Sequence, residues 1–177
     1  MIDGLGAATV QVRTPEQLGS VDALVLPGGE SSTMSMLLDR AGLADPLAER
    51  LAGGMPTFGT CAGAILLGTE ILDGRDDQRP FGAIDVAVRR NAYGRQVDSF
   101  EQDLDVVGVE GPPVVGVFIR APIIERVGDG VEVLASVRSS GGDARPVLCR
   151  QRTIMISTFH PELSGDARLH STFLESI

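Results

Sequence analysis

Gly59-Thr60-Cys61-Ala62-Gly63 follows the apolar run Met55–Phe58 and opens a second apolar run. A nucleophile set between glycines at a strand-to-helix corner is held out on a strained turn, and the glycines are needed where neighbouring backbone passes close. The amide of Ala62 can then face an oxyanion that develops beside the sulfur, and a helix N-terminus behind Cys61 favours the thiolate. The alternative is a buried structural thiol. The coincidence of both glycines with a strand and a helix favours the nucleophile. A thiolate that attacks an acyl carbon needs a base, and the base needs an orienting acceptor. His160, in Phe159-His160-Pro161-Glu162, ends the apolar strand Thr153–Ser157. Glu162, two residues on, can hold the second ring nitrogen. His170, in a C-terminal helix, reads as solvated or capping.

Pro27-Gly28-Gly29-Glu30-Ser31 is a glycine-rich turn between a strand and a helix. By pattern it could hold an anion at a helix start, but Glu30 opposes phosphate. It fits better as an amide-donating wall for a carboxamide or its oxyanion. The stretch from Arg90 to Glu101 is dense in polar groups. Arg90 and Arg95 could clamp a carboxylate or belong to a solvated loop, and Arg120 after Phe118-Ile119 carries the same two readings. Cys149, inside an apolar strand without a glycine corner, reads as core, and Met34, Met36, Met55 and Met155 as packing.

These residues need a scaffold, and the chain alternates strand and helix in its first half. Val21–Leu26 is a short apolar run suited to a strand buried on both faces. Ser31–Arg40 has helical spacing at Met34, Leu37 and Leu38, with Ser31 or Ser32 as cap. Leu47–Leu51 reads as a helix, Met55–Phe58 as a strand and Cys61–Leu67 as a helix start. The second half holds short β-branched runs: Ile84–Val88, Asp103–Val107, Val114–Ile119, Val131–Val137, Val147–Arg150 and Thr153–Ser157. Asp166–Leu174 closes as an amphipathic helix with Leu169 and Phe173 inward. The fold expected is a single α/β domain over residues 1–177, a parallel core with antiparallel additions.

Composition narrows the chemistry further. The chain has 177 residues, formal net charge −9 and two cysteines. No basic cluster offers a phosphate-backbone footprint, so neither nucleic acid nor an anionic membrane is an expected partner. No apolar run approaches the roughly 18 residues that span a bilayer, and no secretory leader is legible at the N-terminus. Two cysteines form no disulfide framework, which points to a reducing, cytoplasmic compartment. The two cysteines and two histidines are badly spaced for zinc, so no metal is expected, and nothing demands an organic cofactor. All 15 basic residues are arginine. A chain without lysine forms no lysine Schiff base and lacks the lysine of a P-loop.

Pro27-Gly28-Gly29-Glu30-Ser31-Ser32-Thr33-Met34, Phe58-Gly59-Thr60-Cys61-Ala62-Gly63, the Arg90–Glu101 stretch, Val117-Phe118-Ile119-Arg120-Ala121-Pro122 and Phe159-His160-Pro161-Glu162-Leu163 together resemble the glutaminase subunits of pyridoxal 5′-phosphate synthases, within the class I glutamine amidotransferases. The elbow and the His-Pro-Glu are general to that class; the Arg90–Glu101 stretch is particular to this subunit. The resemblance implies a flavodoxin-like, three-layer class I amidotransferase fold that hydrolyses L-glutamine to glutamate and ammonia. It implies Cys61 as nucleophile, His160 as base and Glu162 as orienter. It implies glutamine contacts at Gly29, Glu30, Ser31, Arg90, Ile119 and Arg120, and oxyanion amides at Gly28, Gly29 and Ala62. It implies a partner synthase (lyase) subunit in a large hetero-oligomer, which receives the ammonia through a channel and condenses it with a pentose phosphate and a triose phosphate for vitamin B6. Pyridoxal phosphate is then a product, not a bound group.

The start departs from the family pattern. Met1-Ile2-Asp3-Gly4-Leu5-Gly6-Ala7 looks like the end of the family's first helix. Roughly twenty residues, including a strand central in a doubly wound sheet, are absent from that pattern, and loss of such a strand would expose two strand edges. A mis-set start, a genuinely shortened protein and the way the segment was delimited all account for this. Another class I amidotransferase subunit and an inactive docking subunit stand as alternatives.

Overall fold

The computed structural model describes residues 1–90, 99–138 and 142–177. The central sheet has five strands: β1 (Leu24–Leu26), β2 (Thr57–Thr60), β8 (Glu132–Arg138), β9 (Ala144–Gln151) and β10 (Ile154–Ser157), in the order β1-β2-β10-β9-β8. β1, β2 and β10 run parallel, with Val25 and Met155 both beside Phe58, and β9 and β8 add antiparallel. A second sheet joins β3 (Gly68–Leu72), β4 (Ile84–Arg89) and β7 (Ile123–Val127), and β5 (Phe100–Leu104) forms an antiparallel ribbon with β6 (Val114–Phe118).

Side chains alternate across the pleat, which gives the central sheet two apolar faces. Ile154, Ile156 and Cys149 face α1 (Pro15–Gly19), α3 (Ala44–Ala52) and α4 (Ala62–Leu67) through Leu18, Leu43, Leu47, Leu51 and Leu66. Phe58, Met155 and Leu148 face the β5–β6 ribbon and α5 (Arg168–Leu174) through Leu104, Phe118, Leu169 and Phe173. β2 and β10 are buried along their whole length, as expected of parallel strands covered on both sides. Burial pushes the Cys149 thiol up to about 12, so it stays a neutral core residue.

Several expectations need adjustment. The first strand is shorter, Leu24–Leu26, and β2 is displaced two residues to Thr57–Thr60, so that the glycine corner belongs to the strand. α2 (Ser31–Arg40) has the expected bounds, but its cap is Glu30, whose carboxylate accepts from the amides of Ser32 at 3.1 Å and Thr33 at 2.7 Å. A carboxylate offers two oxygens to two orphan amides, which one serine hydroxyl does not. The buried positions of α2 are Ser31 and Ser35, and Leu37 is exposed. β5 covers Phe100–Leu104 and not Asp103–Val107, because its ladder to β6 begins with Phe100 opposite Phe118, their rings stacked at 4.6 Å. α1, β3 and β7 carry no expectation from sequence. His170 is buried at 3% exposure, edge-on to Phe58 at 5.6 Å, and not solvated.

β1 is the edge of the central sheet. Beside it lies a cleft of about 1090 Å³ lined by residues that include Val12, Leu24, Leu26, Leu43, Leu47 and Phe173.

Candidate active site

The parallel strands β1, β2 and β10 carry their C-terminal ends to one place. β1 runs into Pro27-Gly28-Gly29, β2 into Cys61, and β10 through Ser157, Thr158 and Phe159 into His160. Sites at the carboxyl ends of the strands are the rule in open α/β sheets. Cys61 adopts φ 49 and ψ −102, a conformation that costs a non-glycine residue roughly 1–3 kcal/mol. Its amide donates to the carbonyl of Ser157 at 2.8 Å, and its carbonyl accepts from Ile65 at 3.2 Å, so the elbow is tied to the strand that bears His160. A Cβ at Gly59 would lie 2.9 Å from the carbonyl carbon of Gly63, and one at Gly63 would lie 2.1 Å from the carbonyl oxygen of Leu26. Only glycine lets this strand, helix and neighbour meet.

His160 is anchored by its amide, which donates to the Val117 carbonyl at 2.9 Å. Its Nδ1 meets Glu162 Oε1 at 2.8 Å, and its side chain hydrogen-bonds Cys61. Those two bonds, the one to Cys61 foremost, outweigh partial burial and raise the imidazole from 6.5 to about 9. Burial works to raise the Glu162 carboxyl, but hydrogen bonds from His160 and its own amide hold it below the usual carboxylate range. The glycine turn covers the pair: a Cβ at Gly28 would lie 2.3 Å from His160 Cε1 and 3.4 Å from Cys61 Cβ. Phe118 and Phe159, 5.4 Å apart, are fully buried and form the floor beneath His160.

The substrate-contact candidates lie on the segments that follow β1, β4 and β6. Gly29 has φ 148 and Ser31 is buried. Arg90 follows β4 and reaches across to Glu30, Nη2 to Oε1 at 2.8 Å. Burial would raise the Glu30 carboxyl; bonds from the Thr33 hydroxyl, the Thr33 and Ser32 amides and the Arg90 charge bring it down to about 2. The β6 end that holds His160 continues into Ile119 and Arg120, both exposed, with Arg120 at φ 45. Asn91 to Asp98, including Arg95, lie outside the described residues. Sequence reasoning passed over Gln78, which is buried against Arg90, and Asp73, which accepts from the Arg90 amide at 2.9 Å. Nothing in the Asp76-Asp77-Gln78-Arg79 run distinguishes that glutamine from a surface residue. Among the described residues no group of acidic, histidine and cysteine side chains suits a metal.

An elbow cysteine, a histidine bonded to it and a carboxylate behind the histidine make a unit for acyl transfer from a carboxamide or ester. The chain matches the SNO glutamine amidotransferase family over residues 1–177. It belongs to that family. Known proteins resemble it over nearly its whole length. The pyridoxal 5′-phosphate synthase subunit PdxT of Rhodococcus opacus (strain B4) is 54% identical over 174 residues, 97% of this chain and 86% of the relative. The subunit of the same name from Mycobacteroides abscessus is 56% identical over 172 residues, again 97% and 86%. A solved glutamine amidotransferase superposes with a TM-score of 0.88 at 46% identity, covering 99% of this chain and 89% of that one. The fold of this SNO member is therefore the α/β glutamine amidotransferase fold.

Proposed function

We propose that this chain is the glutaminase subunit of a pyridoxal 5′-phosphate synthase, a single domain over residues 1–177 that hydrolyses L-glutamine and hands the ammonia to the synthase subunit. The observation that carries this reading is the hydrogen-bonded line Cys61–His160–Glu162 beneath Gly28, in a chain 54% identical to a PdxT subunit. The Cys61 sulfur attacks the side-chain carboxamide carbon, and the amides of Gly28, Gly29 and Ala62 receive the negative oxygen. Removing one such donor costs about 2.7–4 kcal/mol in a serine protease. His160, protonated at rest, gives its proton to the departing ammonia as the thioester forms. The now neutral imidazole takes a proton from water, and the resulting hydroxide releases glutamate and regenerates Cys61. Glu162 fixes the ring so that its remaining nitrogen faces the sulfur.

Free glutamine carries one positive and one negative charge at its α-carbon. Glu30 and Arg90 offer the complementary pair, Glu30 for the ammonium and Arg90 for the carboxylate, with Gly29, Ser31, Ile119 and Arg120 completing the pocket. Among the described residues no helix is long and apolar enough to cross a membrane. Both cysteines are free and buried, which supports a cytoplasmic home in a hetero-oligomer with the synthase.

The test is glutamate release from L-glutamine by the chain alone and with the synthase subunit added. Activity that rises on adding the partner and disappears in Cys61→Ala is expected. Full activity in Cys61→Ala removes the assignment.

A further inference from the structure

Gln78 lies in the loop between β3 and β4 and is 8% exposed. Its Oε1 accepts from Arg90 Nη1 at 2.9 Å and from Ser32 Oγ at 3.4 Å. Two donors on one end of the amide settle which end is oxygen. The other end, Nε2, is buried and has no partner among the described residues. A buried amide donor left empty is costly, and buried polar groups as a rule find an acceptor.

The oxygen end of Gln78 is built into the network that holds Arg90. Arg90 is held on three sides: Nη2 by Glu30 at 2.8 Å, Nη1 by Gln78, and its amide by Asp73 at 2.9 Å. Ser32 closes the ring, because its amide donates to the same Glu30 oxygen at 3.1 Å. Gln78 is thus wired to both charges assigned above to the ends of the amino acid. It adds no charge of its own. A carboxylate in its place would leave Arg90 between two anions, with no positive charge to spare for a ligand. A neutral carbonyl holds the guanidinium still and keeps the Glu30–Arg90 pair balanced against a zwitterion.

We propose that Gln78 is a positioning residue for the α-carboxylate end of the bound amino acid. Its oxygen fixes the Arg90 guanidinium, the group that meets the carboxylate. This rests on the glutaminase reading of the site, with Arg90 at the carboxylate end.

The experiment is calorimetric binding of L-glutamine to the Cys61→Ser chain, with the synthase subunit present, for the parent, Gln78→Leu and Gln78→Glu. Gln78→Leu loses acceptor and donor. Gln78→Glu keeps the acceptor and adds the charge that the structure avoids. Both are expected to weaken binding about tenfold or more, the scale of a lost hydrogen bond to a charged group, with thermal midpoints near the parent's. In the Cys61 background KM rises similarly while kcat holds within about threefold, a split that marks lost binding common to ground and transition states. Glutamine affinity within about twofold of the parent in Gln78→Leu overturns the inference. So does a fall in kcat together with the thermal midpoint, or a parent that binds no glutamine. A parent that binds glutamine with Gln78-dependent affinity, while the Cys61 chain with its partner hydrolyses none, would remove the glutaminase reading and leave the role of Gln78 intact.

Discussion

In the proposed reaction the chemistry turns on His160, which must be a cation at one step and a base at the next. Its bond to Cys61, then its bond to Glu162, lifts its titration from 6.5 to about 9 against the opposing effect of burial. The folded chain therefore binds this proton more tightly than the unfolded chain. The resulting stabilisation is complete below about pH 6.5 and is lost as pH passes about 9. The same proton is the one delivered to ammonia, so kcat/KM for glutamine is expected to fall on a basic limb near pH 9. In Glu162→Gln one of the two raising bonds is weakened and its charge removed, and the limb moves down toward neutrality. Initial rates from about pH 6 to about pH 10 check this. A limb that stays in place in Glu162→Gln would separate Glu162 from the titration of His160. His170 follows the opposite logic: burial holds it below its ordinary value, although the Glu162 charge pulls it upward. It is a neutral ring inside the core, edge-on to Phe58.

At the scale of elements, the site exists because Gly63 of α4 is pressed against the backbone of Leu26 in β1 and Gly59 of β2 against Gly63. A Cβ on Gly63 would sit 2.1 Å from the Leu26 carbonyl oxygen and 2.9 Å from its carbon, backbone that cannot swing aside. Overpacking usually costs roughly 1–3 kcal/mol and occasionally more; here Gly63→Ala is expected at or above about 3 kcal/mol, with glutaminase activity lost because the elbow shifts. Gly19→Ala is the contrast, since a Cβ there meets nothing within 4 Å. It is expected to change stability by no more than about 1 kcal/mol, in the stabilising direction. Urea unfolding of both variants checks the pair, and equal midpoints would deny the close approach of α4 to β1. The same contacts explain what could be read beforehand. The elbow, the His-Pro-Glu corner and the bounds of α2 are written in adjacent residues, so local pattern reveals them. β3 and β7 are half exposed and owe their strand state to the ladders with β4, information that no window of sequence contains. β5 hides behind Glu101, Gln102 and Asp103, which are exposed although all five residues of the strand pair with β6. Gln78 was illegible for the same reason: its partners Ser32 and Arg90 come from the helix after β1 and the end of β4.

The whole molecule divides labour by charge and by the amines it lacks. It carries 15 arginines, 24 acidic residues and no lysine, for a formal charge of −9. L-Glutamine is neutral overall and in the proposed site meets a local Glu30–Arg90 pair, so a negative molecule does not repel it. Sugar phosphates are different: they bring two negative charges near neutral pH, and carbonyl condensation with them needs an amine nucleophile. These 177 residues include no lysine and so no side-chain primary amine. The carbonyl chemistry is therefore expected on the partner, with ammonia passing between the two chains in the proposed reaction. When the two-subunit complex is treated with a pentose phosphate and borohydride, the reduced adduct is expected on the synthase subunit, and intact mass measurement should leave this chain unchanged. Calorimetry should find no pentose phosphate binding to this chain alone. An adduct on this chain, or its absence from the partner under conditions of full glutaminase activity, would break the assignment of amide hydrolysis to one molecule and imine formation to the other.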